Sequence, residues 1–231
     1  MTIEISILVP TLNEEKNIKK VFKLISIALI SIKKKYEIIF VDDASTDKTC
    51  KNINLLRKKN KNIHLVNSPK KKGLGNAINI GINKSKGKYI LCLDCDCAVS
   101  HKELTKIIEN RSKNRVVIGS RYLRDSKIVG CSRIKIFLSK AVNKFISYVH
   151  KISANDLTQS LRIFYKDQKF KPKNLTHPGF FIEMSIFFSK KKKEFLEIPV
   201  IYQQRRYGET KNNTIKLLIS TVSFFLKNFF K

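Results

Sequence analysis

The sequence predicts an α/β fold, a mostly parallel sheet with helices on both faces. Short β-branched, apolar runs alternate with stretches of helical periodicity as far as residue 118, and the connections between them are short. These runs are apolar on both faces rather than alternating, as expected for strands buried on both sides. The polar residues fall at their ends. Asn13 and Glu14 follow the first run, Asp42 and Asp43 the second, and Asp94 and Asp96 the fourth. Parallel sheets bind ligands beyond the carboxyl ends of their strands, so these acids are expected to meet along one edge.

Residues 3–10 (IEISILVP) are β-branched and end on proline, giving a first strand. Asn13 and the pair Glu14 and Glu15 open an amphipathic helix expected to run to about residue 35. Residues 36–41 (YEIIFV) form a second strand stopped by Asp42 and Asp43, and residues 46–60 have helical spacing. A short strand at 63–66 leads to a basic, glycine-containing loop at 70–76 and a helix at 77–85. The fourth strand, 89–93, ends on Asp94, and a helix at 101–110 precedes a fifth strand at 116–118. From 134 to 152 the pattern is helical, with Phe137, Ala141, Phe145 and Val149 recurring every four residues. Residues 182–188 predict another helix and 197–202 (EIPVIY) a late strand. The expected organisation is one domain over 1–213 and a C-terminal amphipathic helix at 214–231, with Leu217, Leu218, Val222, Phe225, Leu226 and Phe229 on its apolar face. No internal repeat or Pro/Gly/Ser linker interrupts it.

Lys and Arg number 47 against 18 Asp and Glu, a formal net charge of +29 in 231 residues. Such a field attracts phosphates in nucleotides, anionic lipids or nucleic acids. The charge is scattered rather than laid along one helix and no nucleic-acid motif accompanies it, so no specific nucleic-acid partner is expected. Five cysteines, three of them at 92, 95 and 97, do not read as a disulfide framework and suit a reducing cytoplasm. No secretory signal is visible in the first ten residues, and lysines interrupt the longest apolar runs, so no transmembrane helix is expected.

Asp94-Cys95-Asp96 carries the strongest chemistry. Two carboxylates one residue apart beyond a buried strand offer hard oxygen ligands suited to Mg²⁺ or Mn²⁺, although two solvated acids in a turn is the plainer reading. The C-x-x-C-x-C string of Cys92, Cys95 and Cys97 lacks a fourth ligand for zinc and reads as small buried thiols. Asp42 or Asp43 suits a base N–H or a ribose hydroxyl, while Ser45 or Thr46 suits an N-cap. The loop Lys70-Lys71-Lys72-Gly73-Leu74-Gly75-Asn76 reads either as a phosphate cradle or as a solvated face. Arg121, Arg205, Arg206 and Lys211 offer cationic donors for phosphate, or an ordinary basic surface.

Together these blocks resemble family 2 glycosyltransferases of the GT-A fold, and most of all the dolichyl-phosphate (polyprenyl-phosphate) mannosyltransferases. The matching residues are Val9-Pro10-Thr11-Leu12-Asn13-Glu14, Val41-Asp42-Asp43-Ala44-Ser45-Thr46-Asp47, Lys72-Gly73-Leu74-Gly75, Asp94-Cys95-Asp96 and Gly119-Ser120-Arg121-Tyr122. Ser139 with Asn143, Asp156-Leu157-Thr158 with Arg162, and Arg205-Arg206-Tyr207-Gly208-Glu209-Thr210-Lys211 follow. The resemblance implies a Rossmann-like GT-A sheet and an inverting transfer of a hexose from a nucleotide-sugar to a lipid phosphate. It implies that Pro10, Leu12, Glu14, Val41 and Asp43 line the nucleotide pocket and that Asp94 and Asp96 hold Mg²⁺ or Mn²⁺, with Cys95 and Cys97 beside metal and sugar. It implies that Arg121, Arg205 and Lys211 face the diphosphate or the incoming phosphate. GDP-mannose is the first donor it suggests and UDP-glucose the second, with a polyprenyl phosphate acceptor, a peripheral position on the cytoplasmic membrane surface and room for a membrane-protein partner.

Leu12, Ala44, Cys95, Cys97, Gln159 and Leu161 depart from the family's usual residues without removing a ligand. A saccharide, protein or other non-lipid acceptor would instead call for a carboxylate base, for which Glu183 is the candidate.

Overall fold

The computed structural model describes residues 2–32, 34–96, 98–173, 175 and 179–203. Seven strands form the central sheet: β1 (Ile5–Thr11), β2 (Tyr36–Asp42), β3 (Ile63–Asn67), β4 (Tyr89–Cys92), β5 (Arg115–Ser120), β7 (Arg162–Tyr165) and β8 (Glu194–Pro199). Their order is β3-β2-β1-β4-β7-β5-β8. All pairs are parallel except those of β7, which runs against both β4 and β5. Two short strands, β6 (Lys127–Val129) and β9 (Ile201–Gln203), form a separate parallel pair.

Six helices complete the described fold: α1 (Ile18–Leu29), α2 (Thr49–Lys59), α3 (Leu74–Lys84), α4 (His101–Glu109), α5 (Arg133–His150) and α6 (Gly179–Lys190). Successive residues of β1 face opposite sides, so each strand serves two cores. Ile5, Ile7 and Val9 pack with Val21 and Ile25 of α1 and Leu104 and Ile107 of α4. Leu8 packs on the other side with Ala77 and Ile78 of α3 and Phe180 and Phe181 of α6. The layers are therefore helix, sheet, helix, as the doubly apolar runs predict.

The expected early strands are all present, within about three residues at their ends. The helix expected from Asn13 begins only at Ile18, after a turn at 15–17, because the amides of Asn13, Glu14 and Glu15 bond across to residues 45–49. The N-cap expected at Ser45 or Thr46 also fails. α2 begins at Thr49, whose amide and hydroxyl both donate to Asp47 Oδ1. The late strand expected at 197–202 is two strands, β8 and β9, separated at Val200. β6 and β7 have no counterpart in the sequence pattern.

The recurrence that predicted α5 marks its outer side. Phe137 is 70% exposed and Phe145 58%, whereas Asn143 and Ile146 face inward. No helix among the described residues is long and apolar enough to cross a membrane. The expected helix at 214–231 lies outside the described residues.

Candidate active site

The ends of β1 and β2 are laced into one unit. The amide of Asn13 donates to Ser45 Oγ at 2.9 Å, and Asn13 Oδ1 accepts the Thr46 amide at 2.8 Å. The Glu14 amide reaches Thr49 Oγ1 at 2.8 Å, and Glu15 trades hydrogen bonds with Asp47 and Lys48. Two residues take left-handed backbone conformations to allow this, Asn13 with φ 53° and Ala44 with φ 67°. Asparagine tolerates that region, but alanine pays a steric cost of about 1 kcal/mol. Pro10, Glu14, Val41 and Asp43 are buried at this edge and Leu12 is partly exposed.

Asp43 has a definite partner. Its two oxygens accept the amides of Lys72 and Gly73, each at 2.8 Å. Those amides precede the first turn of α3, so Asp43 serves that helix as a distant N-terminal carboxylate. Gly73, with φ 91°, supplies the turn that only glycine takes without strain. The basic loop is thereby anchored beside the strand ends.

On the far side of β1, Leu8 pairs with Cys92 and the Leu93 amide donates to Leu8 O, so Asp94 emerges level with Pro10. The ends of β2 and β4 thus flank β1, two strand spacings or roughly 10 Å apart. The acids of both strands share one edge. Cys95, between the two later acids, is buried in the α1/α4 core, whereas Cys92 faces the α3/α6 core. Thiols on opposite faces of the sheet cannot share a zinc ion. Cys97 lies outside the described residues.

Tyr202 of β9 packs against Arg121. Burial, then Asp96 and Asp94, push its hydroxyl up to about 12 against the opposing pull of Arg121. The Arg121 guanidinium lies 5.6 Å from the Tyr202 ring and 5.1 Å from the Tyr122 ring. Its Nε and Nη2 donate to the two oxygens of Asp156 at 2.8 and 2.7 Å, and Nη2 also reaches Thr158 Oγ1 at 3.0 Å. Burial works against this charge, and the Asp156 carboxylate more than offsets it, leaving the pKa above the ordinary arginine value. Among the described residues Nη1 makes no hydrogen bond, which leaves its two N–H donors for a ligand. Tyr202 was read in the sequence only as the last residue of an apolar strand.

The acid pair fits a hard divalent cation. Carboxylates from Asp94 and Asp96 are oxygen donors of the type Mg²⁺ and Mn²⁺ select, and such ions keep water and phosphate oxygens in their remaining positions. Among the described residues no cluster of three or more His, Cys, Asp and Glu side chains is arranged to hold a metal. Arg205 and Lys211 lie outside the described residues. Glu183 sits on α6 and accepts the Lys173 amide with both carboxylate oxygens.

Comparisons with known proteins agree with this fold. The family described as Glycosyl transferase family 2 matches residues 6–192. A dolichol-phosphate mannosyltransferase of Pyrococcus furiosus is 28% identical over 214 residues, 90% of this chain and 59% of that protein, so the chain spans under two thirds of its relative's length. A glucosyl-3-phosphoglycerate synthase from Mycobacterium tuberculosis, solved with Mn²⁺, uridine-diphosphate and phosphoglyceric acid, has a TM-score of 0.70 at 16% identity over 97% of this chain and 78% of that one. A mannosyltransferase from Pyrobaculum calidifontis, solved with GDP-Man and Mn²⁺, has a TM-score of 0.66 at 16% identity over 100% of this chain and 65% of that one. At such identities the two structures establish the fold, which is that of the GT-A glycosyltransferases. With the family match covering most of the described sheet and every strand-end acid, the chain belongs to glycosyl transferase family 2.

Proposed function

We propose that this protein transfers a hexose, mannose before glucose, from a nucleotide-sugar to a polyprenyl or dolichyl phosphate, with inversion, at the cytoplasmic face of a membrane. One observation carries the reading: an acid suited to a cation and an arginine suited to phosphate stand at the same edge of the sheet, Asp94 bonded to Ser160 and Arg121 to Asp156 of one short loop. The similarity to a dolichol-phosphate mannosyltransferase supports the lipid acceptor.

Pro10, Leu12, Glu14, Val41 and Asp43 are the proposed nucleotide side, with Cys97 beside the sugar, whereas the Cys95 thiol is buried in the α1/α4 core. Asp94 and Asp96 would hold Mg²⁺ or Mn²⁺, and the cation, when bound, would neutralise the diphosphate leaving group. Arg121, held by Asp156, would orient the acceptor phosphate, with Arg205 and Lys211 assisting. A phosphate oxygen of the acceptor attacks the anomeric carbon, and the bond to the diphosphate breaks with its electron pair leaving on the nucleotide. The acceptor is already anionic at neutral pH, so positioning takes the place of a strong base.

The membrane side of the reading draws on α5. Ile134, Phe137, Phe145 and Tyr148 are 72, 70, 58 and 85% exposed on a helix that also carries Arg133, Lys135, Lys140 and Lys144 and no acid. An apolar strip bordered by cations suits an anionic lipid surface. Ser139 of the same helix accepts a hydrogen bond from the Tyr122 hydroxyl at 2.6 Å, which joins that surface to the residue beside Arg121.

The test is a donor screen by product mass. Purified protein is incubated with Mn²⁺ or Mg²⁺, GDP-mannose or UDP-glucose, and polyprenyl phosphate in competition with soluble sugar acceptors. A glycosylated polyprenyl phosphate that disappears in Asp96→Ala is the expected result. Transfer only to soluble acceptors, or to none, overturns the lipid reading.

A further inference from the structure

Residues 154–160 join α5 to β7 without regular secondary structure, yet Asp156, Leu157, Gln159 and Ser160 are all buried. A buried irregular segment needs side chains to satisfy its backbone. Three elements supply them. Asn143 Oδ1 of α5 accepts the amides of Leu157 and Thr158 at 2.7 and 3.1 Å. The Glu197 carboxylate of β8 accepts those of Asn155 and Asp156 at 2.8 and 3.0 Å. Arg162 of β7, fully buried, donates to the carbonyls of Leu157 at 2.8 Å and Gln159 at 3.1 Å, and to Ser185 Oγ at 3.0 Å. Burial lowers the Arg162 pKa to about 10 against the opposing pull of Cys92 and Asp156, so the brace stays protonated at neutral pH.

Both ends of this loop bear on the site. Asp156 grips Arg121 through two side-chain nitrogens and its backbone amide. At the other end the Ser160 hydroxyl donates to Asp94 Oδ2. The sheet dictates that contact, because carrying the antiparallel pairing of Cys92 with Arg162 two residues outward sets Asp94 opposite Ser160.

The geometry points to the 156–160 loop as a positioning element, with Ser160 orienting Asp94 and Asp156 orienting Arg121. One short, braced segment then fixes how far the cation-binding acid stands from the phosphate-binding arginine. This rests on the metal and phosphate roles proposed above. A hydroxyl bonded to one oxygen of a carboxylate selects one orientation from a broad two-fold torsional well. Losing such an outer partner typically weakens metal binding by about 10- to 100-fold.

The experiment is a Mn²⁺ titration followed by electron paramagnetic resonance, on the full chain, with GDP and separately with UDP present. It needs neither sugar transfer nor an acceptor. Ser160→Ala is expected to raise the Mn²⁺ dissociation constant about tenfold at an unchanged melting temperature, and Ser160→Thr to restore it within about threefold. Ser160→Val, which has the shape of threonine without the hydroxyl, should behave as the alanine variant does, and decides the matter should Ser160→Ala fail to fold. Variants lacking the hydroxyl that bind Mn²⁺ within about twofold of wild type overturn the inference alone. A threonine variant no better than the valine one does the same. Wild-type protein that binds no Mn²⁺ with either nucleotide overturns the metal role of Asp94, and this inference with it.

Discussion

The two halves of the sheet build their parts of the site in different ways. In the half made by β1, β2, β3 and β4, functional groups sit at the ends of apolar parallel strands, and short turns lock them to each other. In the half made by β5, β7 and β8, the groups sit in or beside an irregular buried loop, held by polar side chains from distant parts of the chain. The first arrangement depends on strand register and local turn chemistry. The second depends on hydrogen bonds such as Glu197 to Asn155 and Arg162 to Leu157, which become satisfied only when the whole fold is present.

Replacing the brace should expose this contrast most sharply. Arg162→Met keeps the volume but abandons two buried loop carbonyls, and is expected to cost about 3–5 kcal/mol in urea unfolding. A comparably buried but apolar change in the first half, Ile7→Val, should cost only about 1 kcal/mol. Similar losses would dissolve the distinction. Next in size, Phe137→Ser with Phe145→Ser is expected to reduce partition onto vesicles of anionic lipid by about 100-fold or more, given 1.5–3 kcal/mol for each fully buried aromatic. Undiminished partition would move membrane contact away from α5. Asp43→Asn removes one of two acceptors for the α3 amides and should lower stability by about 1–2 kcal/mol. A change confined to nucleotide affinity, read by calorimetry, would separate its loop-holding part from its ligand-binding part.

Two smaller effects probe the strand-end half. Burial raises the Cys92 thiol to about 12, with Arg162 opposing and Asp94 adding. The unfolded thiol ionises near 9.0 while the folded one stays protonated, so its contribution to stability is full below that pH and is lost as pH rises toward 12. Melting temperatures measured across that interval should therefore fall less steeply in Cys92→Ala than in wild type. Smallest, Ala44→Gly should stabilise by about 0.5–1 kcal/mol by relieving the left-handed alanine, and a loss on urea unfolding would argue against strain there.

Legibility in the sequence follows the same division. Runs such as YEIIFV and YILC declare themselves because a strand buried on both faces needs nothing but apolar residues. The acids at their ends were readable for the same reason. β7, RIFY, was hidden because it is four residues long and opens with a buried arginine, a residue that pattern reading assigns to the surface. Ser160 was invisible because its partner is 66 residues away and is set by an antiparallel pairing that no local pattern encodes. α5 was found as a helix, but its aromatic periodicity could not say whether core or surroundings would receive Phe137 and Phe145. Asp156, Asn143 and Arg162 came into view only through family resemblance, and bond geometry gave them their parts.

The reversal of β7 has a consequence for how such a molecule could be rebuilt. A strand laid head-to-tail among its neighbours delivers an arriving segment to the rim where all the others deliver departing ones. Residues 151–161 therefore arrive at the rim from which the other strands depart, and moving them between relatives would succeed only if Asn143, Arg162 and Glu197 travelled with them, while the turns after β1 and β2 stayed as they are.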